Sequence, residues 1–318
     1  MTPDPEKHYV ISFSGGKDSV ATWLYLTREL RLPRVTCTFA DTGHEWPGLA
    51  GYLDLLEYEY GCPLVRIQPI LEDVRGELVP EKIADRLGLD ASSPDFWQQP
   101  LTMERLAIIK RRFPSTTVRF CTMHLKLIPM LRWTRESCDV SETVRVSGVR
   151  AEESSARASR PVWGDDELFG CLLWLPIHAW SVEQVFAIHA KYNVPPNPLY
   201  LNGCSRVGCF PCIMARKTEL AQLSIRYPDE SFGALKAMED RVSAATGGQR
   251  SFFSKGKVPE RYASHVDPKS GERFPDAEDV RRWALNEPPA LSGQEMFGFE
   301  EDLTEDASMC LSMYGLCE

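Results

Sequence analysis

The chain lacks the features of a membrane or secreted protein. None of its apolar runs approaches the roughly 20 residues that a helix needs to cross a bilayer. Its first ten residues, MTPDPEKHYV, hold neither an apolar core nor a small-residue cleavage site, so we expect no signal peptide. We therefore expect a cytoplasmic protein with no membrane partner.

The chain also lacks an excess of positive charge. It has 36 Lys and Arg against 45 Asp and Glu, for a net charge of -9, which argues against a protein that coats nucleic acid by bulk attraction. The charge is unevenly spread, because residues 101–135 are basic and the chain from Trp283 onward is acidic. The basic stretch fits either a guide for a polyanion or a solvated helix face.

Strand-like runs alternate with helical ones along the first two thirds of the chain. Apolar runs at 8–14, 34–43, 63–70 and 171–177, and one that starts at Glu142, predict strands. Ser181 and Gln184 form a capping box at the start of a later helix. This alternation predicts an α/β fold with a doubly wound, mainly parallel five-stranded sheet. We expect a nucleotide-binding domain over 1–215 and a smaller, mostly helical or irregular region with an acidic tail over 216–318.

The stretch SFSGGKDS interrupts the first strand-like run with two glycines before a helical pattern begins. Such a turn suits phosphate, because glycines allow close backbone approach and the free N–H groups of a helix start point at the anion. Lys17 adds positive charge, and Asp18 or Ser19 is expected to cap the helix. The turn is not a Walker A loop, which requires Ser or Thr where Asp18 stands, so a P-loop kinase or GTPase is excluded.

This stretch resembles the PP-loop of the ATP pyrophosphatases, the adenine nucleotide alpha-hydrolase superfamily. There the loop holds the β- and γ-phosphates of ATP as a pyrophosphate leaving group, and attack falls on the α-phosphorus. The resemblance implies that Lys17 and the loop amides neutralise the departing pyrophosphate and that Asp18 helps to hold Mg²⁺. It implies an ATP-binding set of Ser12, Ser14, Gly15, Gly16, Lys17, Asp18 and Ser19.

Later stretches, up to about residue 215, resemble the phosphoadenosine phosphosulfate (PAPS) reductases of the same superfamily. FADTGHEWP resembles their Asp-Thr-Gly-His segment against the nucleoside, which assigns Asp41 and Thr42 to ATP binding. VSGVRAEESSAR resembles their stretch over the phosphates, which assigns Gly148 to ATP binding. The helix at WSVEQVFAIHAKYNV, with NPLY and GCSRVGCFPC after it, is similar to another reductase run. The implied catalytic set is Lys17, Asp18, Arg150 and Arg157. Without the resemblance, Asp41, His44 and Arg157 would be ordinary turn and surface residues.

The ten cysteines are not expected to form disulfides in a reducing compartment. Cys204, Cys209 and Cys212 follow one another closely enough to wrap a single metal centre, which needs a fourth ligand. Cys121 lies in RFCTMHLKLIP, which resembles the segment where iron–sulfur reductases carry a Cys-Cys pair, with Phe120 replacing the first cysteine. Cys204 would supply the missing thiolate, as in the iron–sulfur ATP pyrophosphatases of DNA phosphorothioation systems. The resemblance implies a 4Fe–4S cluster on these four cysteines; a structural zinc ion and unligated core cysteines are the alternatives.

Together these features predict an enzyme that converts ATP to AMP and pyrophosphate and adenylylates an oxygen for sulfur insertion. The resemblance implies DNA phosphorothioate modification, with a cysteine desulfurase as sulfur donor, other modification-complex subunits and a transient nucleic-acid substrate. A tRNA thiolation enzyme is an alternative. A reductase that makes sulfite from adenylyl sulfate or PAPS is another, with Cys310 or Cys317 as its thiol. A non-catalytic assembly subunit is the third, although the intact Lys17 and Asp18 argue against it.

Overall fold

The computed structural model describes residues 2–204, 206–268 and 270–287, and its centre is a six-stranded sheet. The strand order is β3-β2-β1-β4-β6-β5, and every pair is parallel except β5 with β6. The strands are β1 (His8–Ser12), β2 (Val35–Ala40), β3 (Leu64–Ile67), β4 (Thr143–Val146), β5 (Trp163–Asp166) and β6 (Cys171–Trp174), and a separate pair is β7 (His265–Val266) with β8 (Arg273–Phe274). The predicted doubly wound, mainly parallel α/β fold is confirmed.

The sheet has one strand more than the five that were predicted, and the additional strand is β5. Its sequence, WGDD, has no apolar alternation and contains a glycine, so no local pattern indicates a strand. Tertiary contacts hold it at the sheet edge. Trp163 stacks on Trp174 of β6 with ring centroids 4.8 Å apart, and Asp166 accepts from Arg145 of β4 at 2.6 Å.

Helices follow most of the strands and fill the region after the sheet. The predicted helices at 46–60, 101–112 and 122–136 are present with shorter or shifted ends, and the capping box of Ser181 and Gln184 starts a helix as expected. The helices are α1 (Lys17–Leu24), α2 (Leu49–Tyr58), α3 (Pro80–Leu87), α4 (Met103–Lys110), α5 (Phe120–Thr122), α6 (Ile128–Ser137), α7 (Ser155–Ala158), α8 (Val182–Lys191), α9 (Pro198–Leu201), α10 (Lys217–Arg226), α11 (Ala234–Thr246) and α12 (Ala277–Ala284). A π-helical segment, Met123–Leu127, joins α5 to α6.

Both faces of the sheet are covered, as a buried parallel sheet requires. Tyr9 and Ile11 of β1 belong to a core with side chains of α1, α2 and α8. Ala40 and Ile67, at the ends of β2 and β3, belong to a second core with side chains at 127–131. The alternation of strand side chains between the two cores explains why the strands read as nearly continuous apolar runs.

Strand β1 marks the point where the strand order reverses. It pairs in parallel with β2 on one side and with β4 on the other. In open α/β sheets, a crevice for ligands forms at the carboxyl ends of the strands that flank such a point. The loops after β1, β2 and β4 are therefore placed to build a binding site.

The region after the sheet shares a hydrophobic core with earlier residues. This largest core combines side chains at 71–125 with side chains at 199–284, including those of α10, α11 and α12. The predicted domain boundary after residue 215 remains a prediction. Cys310, Cys317 and nearly all of the acidic tail lie outside the described residues. Within the described part of the chain, no helix has both the length and the apolar character to cross a membrane.

Candidate functional site

The loop after β1, the predicted phosphate loop, is held in a tight turn by its own hydroxyls. Gly15 has φ +74°, a conformation that side chains other than glycine's rarely adopt. The Ser14 hydroxyl accepts the N–H of Gly16 at 3.2 Å, and the Ser19 hydroxyl donates to the Gly16 carbonyl at 2.9 Å. Gly16, not Asp18 or Ser19, is the N-cap of α1, because the helix begins two or three residues earlier than the sequence suggested.

Moving the start of α1 to Lys17 places Asp18 in the first helical turn, where it is fully buried. One carboxylate oxygen accepts from Lys17 Nζ at 2.8 Å, and the other accepts from Arg150 Nε at 2.6 Å. The structure thus brings together three of the four predicted catalytic residues. Asp18 acts here as the shared anion between two cations, and its predicted part in holding Mg²⁺ remains a prediction.

The loop after β4 approaches α1 closely because residue 148 is a glycine. A Cβ on Gly148 would lie 3.0 Å from the Asp18 carbonyl group and 3.0 Å from the Thr22 hydroxyl. Two residues later, the Arg150 N–H donates to the Glu153 carboxylate at 2.9 Å. The same carboxylate pairs with the Arg157 guanidinium, so Glu153 links the backbone of one predicted catalytic arginine to the side chain of the other.

Ser12 is a predicted ATP ligand that the structure places inside the sheet. Its side chain is buried in β1, and its hydroxyl accepts from an Arg145 nitrogen at 2.6 Å. Arg145 also pairs with Asp166 at 2.6 Å and lies 3.8 Å from the ring centroid of Phe169. This buried pair connects three strands beneath the phosphate loop, and the predicted ATP contact of Ser12 stays a prediction.

The NPLY stretch contacts the phosphate loop directly. The sequence analysis gave none of its residues a role at this loop. The Tyr200 hydroxyl accepts the N–H of Lys17 at 3.0 Å, and its ring centroid lies 5.2 Å from Lys17 Nζ. The buried Asn197 donates to the Gly15 carbonyl at 3.4 Å. His189 of α8 lies 2.9 Å from the Lys17 carbonyl through its Nε2. The loop is therefore held from its far side by residues 189–200.

The turn after β2 closes around a half-buried carboxylate, Glu45, that the sequence analysis missed. Glu45 accepts the Thr42 hydroxyl at 2.6 Å, the Thr42 N–H at 3.2 Å and the His44 N–H at 3.0 Å. Burial raises the pKa of Glu45, and these hydrogen bonds oppose that shift in part. Thr42 is buried, whereas the predicted ligand Asp41 is exposed and accepts the Gly43 N–H at 2.9 Å. The signal for Glu45 was its place inside the Asp-Thr-Gly-His-Glu run.

His44 connects this turn to the cysteine segment. Its Nε2 lies 2.9 Å from the Pro211 carbonyl, and its own carbonyl accepts the Phe210 N–H at 2.8 Å. Glu45 and Cys209 form an isolated antiparallel bridge beside these bonds. Burial lowers the pKa of His44 to about 4, so the ring is neutral near pH 7. Because a carbonyl can only accept, Nε2 carries the proton of that neutral ring.

Three of the four predicted cysteine ligands line one cleft with about 420 Å³ of free space; they are Cys121, Cys209 and Cys212. Thr42, Arg119 and Lys126 line the same cleft. Burial raises the pKa of the Cys209 thiol well above its usual range, and the nearby charge of Lys126 opposes that shift.

Cys204, the fourth predicted ligand, does not line this cleft. It is buried in the large hydrophobic core, and burial with the charge of Glu219 raises its pKa to about 11. Its participation as a fourth ligand remains a prediction.

A second cleft, with about 320 Å³ of free space, lies directly beside the cysteine cleft. Its lining includes Ser14 of the phosphate loop, Ala40 at the end of β2 and Glu45. Lys126 and Gly208 line both clefts. The predicted nucleotide loop and the predicted metal ligands are therefore separated by little more than one lysine and one glycine. Sequence reasoning had singled out Lys126 only as part of the basic stretch.

Most of the basic stretch 101–135 does not form a free cationic surface. Lys110 pairs with Glu77 at 2.5 Å, and Arg132 pairs with Asp73 at 3.0 Å. Arg111 donates to the Thr246 carbonyl at 2.7 Å. Arg119 and Lys126 line the cysteine cleft instead. The stretch therefore contributes positive charge to the cleft through Arg119 and Lys126, and Arg111, Arg112 and Arg135 are exposed elsewhere.

Comparisons with known proteins agree with the geometry. The family described as "Phosphoadenosine phosphosulfate reductase domain" matches residues 8–215. An uncharacterized 37.8 kDa protein of Escherichia phage 186 is 36% identical over 97% of this chain and 96% of its own length. The range matched by the family, residues 8–215, contains the phosphate loop, Arg150 and Arg157, and all four candidate cysteine ligands.

More distant relatives cover less of both chains. The adenosine 5′-phosphosulfate reductase of Streptomyces coelicolor is 28% identical over 57% of this chain, which spans 62% of that reductase. This chain spans only 40% of an uncharacterized protein of Methanocaldococcus jannaschii that is 25% identical to it. The solved PAPS reductase of Candida auris, a phosphate complex, is 20% identical with a TM-score of 0.41 and covers 64% of this chain and 81% of its own.

Proposed function

Because the chain belongs to the phosphoadenosine phosphosulfate reductase domain family, we propose that it is an ATP pyrophosphatase that activates an oxygen for replacement by sulfur. The observation that carries this proposal is the buried chain of Lys17, Asp18 and Arg150 behind an intact phosphate loop. This cationic cluster lies at the point where the strand order reverses, beside a cleft lined by three cysteines.

The loop suits a pyrophosphate leaving group. An acceptor oxygen attacks the α-phosphorus of ATP, the bond from that phosphorus to the bridging oxygen breaks, and pyrophosphate departs with its charge. Lys17 and the N–H groups at the start of α1 are placed to neutralise that charge. Arg150 is ion-paired to the same Asp18 and extends the positive field towards the β4 loop. Adenylyl sulfate has no β,γ-pyrophosphate to occupy such a loop.

We propose that ATP binds with its phosphates on the loop and its nucleoside towards the turn at 41–45. Mg²⁺ would neutralise phosphate charge there, and Asp18 is its proposed protein neighbour. The Ser14 and Ser19 hydroxyls bond to the loop itself and hold its turn in place. Glu153 pairs with the Arg157 guanidinium and accepts the backbone N–H of Arg150, whose own guanidinium is held by Asp18.

We propose that the cysteine cleft holds a 4Fe–4S cluster rather than a single zinc ion. A tetrahedral zinc site, with Zn–S bonds of about 2.3 Å, would bring its sulfurs to about 3.8 Å from one another. In the part of the chain that the structure describes, no three cysteine sulfurs lie within 4.8 Å of one another. Cys121, Cys209 and Cys212 would hold such a cluster, with Cys204 as the predicted fourth ligand. A cluster there would supply a sulfur-binding or electron-carrying centre.

The acceptor and partners follow from the same chemistry. We propose a nucleic-acid acceptor, because Arg119 and Lys126 place positive charge at the cleft where the activated oxygen would lie. DNA phosphorothioate modification is the favoured process, with a cysteine desulfurase as sulfur donor and further modification subunits as partners; tRNA thiolation is the alternative. In either case the outer sulfur of a persulfide attacks the atom that bears the adenylylated oxygen, the bond to that oxygen breaks, and AMP leaves with the oxygen. A thiol reductant then cleaves the resulting disulfide and leaves the sulfur on the acceptor.

A second candidate is a reductase that makes sulfite, which the similarity to adenosine 5′-phosphosulfate reductases favours. In that reaction a thiol, from Cys310 or Cys317, would attack the sulfur of adenylyl sulfate. Loss of sulfite formation in Cys310→Ser and Cys317→Ser would support it. Sulfite formation that survives both substitutions would exclude these thiols.

The decisive experiment uses ATP labelled at the α- and γ-phosphates. We expect labelled AMP and pyrophosphate, and ADP as the sole nucleotide product would refute the proposal. Lys17→Ala should slow AMP formation by about 100-fold, as loss of one charge-stabilising donor does. Lys191→Ala is the matched control, because Lys191 is an exposed lysine paired to Glu29 outside both clefts. Anaerobic protein should show a broad visible band that reductant bleaches, whereas a colourless, zinc-containing protein would refute the cluster.

A further inference from the structure

His44 is one of the residues that connect the two clefts, beside Lys126 and Gly208, which line both. The turn at 41–45 contributes Glu45 to the lining of the nucleotide cleft and Thr42 to the lining of the cysteine cleft. Between them in sequence, His44 bonds to the segment that carries two of the cysteines.

His44 is held at both its backbone and its side chain. Its carbonyl accepts the Phe210 N–H at 2.8 Å, and its Nε2 donates to the Pro211 carbonyl at 2.9 Å. Phe210 and Pro211 are the two residues between Cys209 and Cys212. The ring of His44 also packs against Phe252, with centroids 5.1 Å apart. The positions of both thiols thus depend on where this one histidine lies.

We infer that His44 is a positioning residue that couples occupancy of the nucleotide cleft to the placement of Cys209 and Cys212. The inference rests on the proposed function, since it takes a nucleotide to be the ligand of the loop. A nucleotide that orders the turn at 41–45 fixes His44, and His44 fixes the Pro211 carbonyl. The coupling is reciprocal, so a ligand on the thiols changes nucleotide affinity by the same factor.

Thiol reactivity measures this coupling without any bound metal. Reduced, metal-free, full-length protein is treated with iodoacetamide, with and without α,β-methylene-ATP, and each cysteine is followed by peptide mass spectrometry. In the wild type, we expect the nucleotide to change the alkylation rates of Cys209 and Cys212 by about fivefold or more, a typical size for coupling between sites. Cys138, which lines neither cleft, is the internal control and should not respond.

Two substitutions separate the hydrogen bond from the bulk of the ring. His44→Phe keeps a ring against Phe252 but removes the donor, and it should abolish the nucleotide effect. His44→Gln keeps an N–H donor near the position of Nε2 and should restore it. If His44→Phe does not fold, His44→Asn serves instead, because its shorter amide does not reach the Pro211 carbonyl.

Two results would overturn the inference. One is wild-type protein that binds the nucleotide without any change at Cys209 and Cys212. The other is a full nucleotide effect in folded His44→Phe or His44→Asn. Either result leaves the proposed reaction standing, because that reaction is judged by the AMP and pyrophosphate formed from labelled ATP. The absence of those products, with the coupling intact, would instead refute the reaction alone.

Discussion

Asp18 is the buried anion on which two predicted catalytic cations depend, so removing its charge is a direct test of the site. Asp18→Asn preserves the shape of the side chain but leaves Lys17 and Arg150 facing a neutral amide. The side chain of Asp18 is 0% exposed, that of Lys17 is 9% exposed and that of Arg150 is 5% exposed, so water cannot replace the lost charge. We therefore expect a lower free energy of unfolding and a site with excess positive charge.

The size of the loss follows from the partners that remain. Breaking a buried ion pair by removing one partner costs about 3 to 5 kcal/mol. Arg150 keeps a second acid, Glu152, at 2.5 Å, which limits the loss on that side. Lys17 keeps the ring of Tyr200 as a neighbour but no carboxylate among the described contacts. We expect Asp18→Asn to lower the free energy of unfolding by about 3 kcal/mol, the lower end of that range.

Urea unfolding followed by circular dichroism measures this loss, with and without pyrophosphate. Asp54→Asn is the matched control, because Asp54 pairs with Arg66 at 2.6 Å but both side chains are more than 40% exposed. Exposed pairs contribute about 0 to 1 kcal/mol. Pyrophosphate should restore part of the stability of Asp18→Asn, because it supplies the missing negative charge. A loss below about 1 kcal/mol, or an equal loss in Asp54→Asn, would refute the reasoning.

Three further predictions test the surroundings of the loop and one remote acid. Gly148→Ala should cost about 1 to 3 kcal/mol in urea unfolding, since its methyl group would lie 3.0 Å from the backbone of Asp18; an unchanged stability would contradict this. Tyr200→Phe should lower the free energy of unfolding by about 1 kcal/mol without ligand, and by less with pyrophosphate, because a phosphate oxygen then accepts the Lys17 N–H. Calorimetric unfolding measures both values, and an equal loss in the two conditions would exclude this explanation. Burial raises the pKa of Glu239 from 4.5 to about 8, so the native state retains a proton that the unfolded chain releases and stability falls as pH rises through this window. Glu239→Gln should flatten that fall between pH 5 and pH 8 in urea titrations, and an unchanged slope would contradict the assignment.

Local patterns in the sequence were sufficient for five of the six strands of the sheet and for the glycine turn after β1. The apolar runs around Tyr9, Cys37 and Val144 are long enough to indicate buried strands whatever surrounds them. Ser181 and Gln184 lie three residues apart, so their capping box needs only the helix that it starts. The glycine turn at 14–16 likewise carries its own conformational requirement, which Gly15 meets with a positive φ.

The edge strand and the partners within the site depended on contacts that no local pattern encodes. Strand β5 exists because Trp163 stacks on Trp174 and Asp166 meets Arg145, although its own residues favour a loop. Only three of the four predicted cysteine ligands line the cleft in the described part of the chain, because Cys204 packs into the core next to Glu219. The sequence spacing of the cysteines did not determine which way each thiol faces.

The chain by itself determined the chemistry of the loop, since Lys17, Asp18 and the two glycines are consecutive in sequence. Only the tertiary structure decided what that loop meets. Arg150 lies 132 residues beyond Asp18, Tyr200 lies 183 beyond Lys17, and the Pro211 carbonyl lies 167 beyond His44. Contacts over such separations form when packed helices and strands bring distant backbone together. Consecutive residues determine which charged and polar groups the loop carries. The sheet order and the packing around it determine which distant residues pair with those groups.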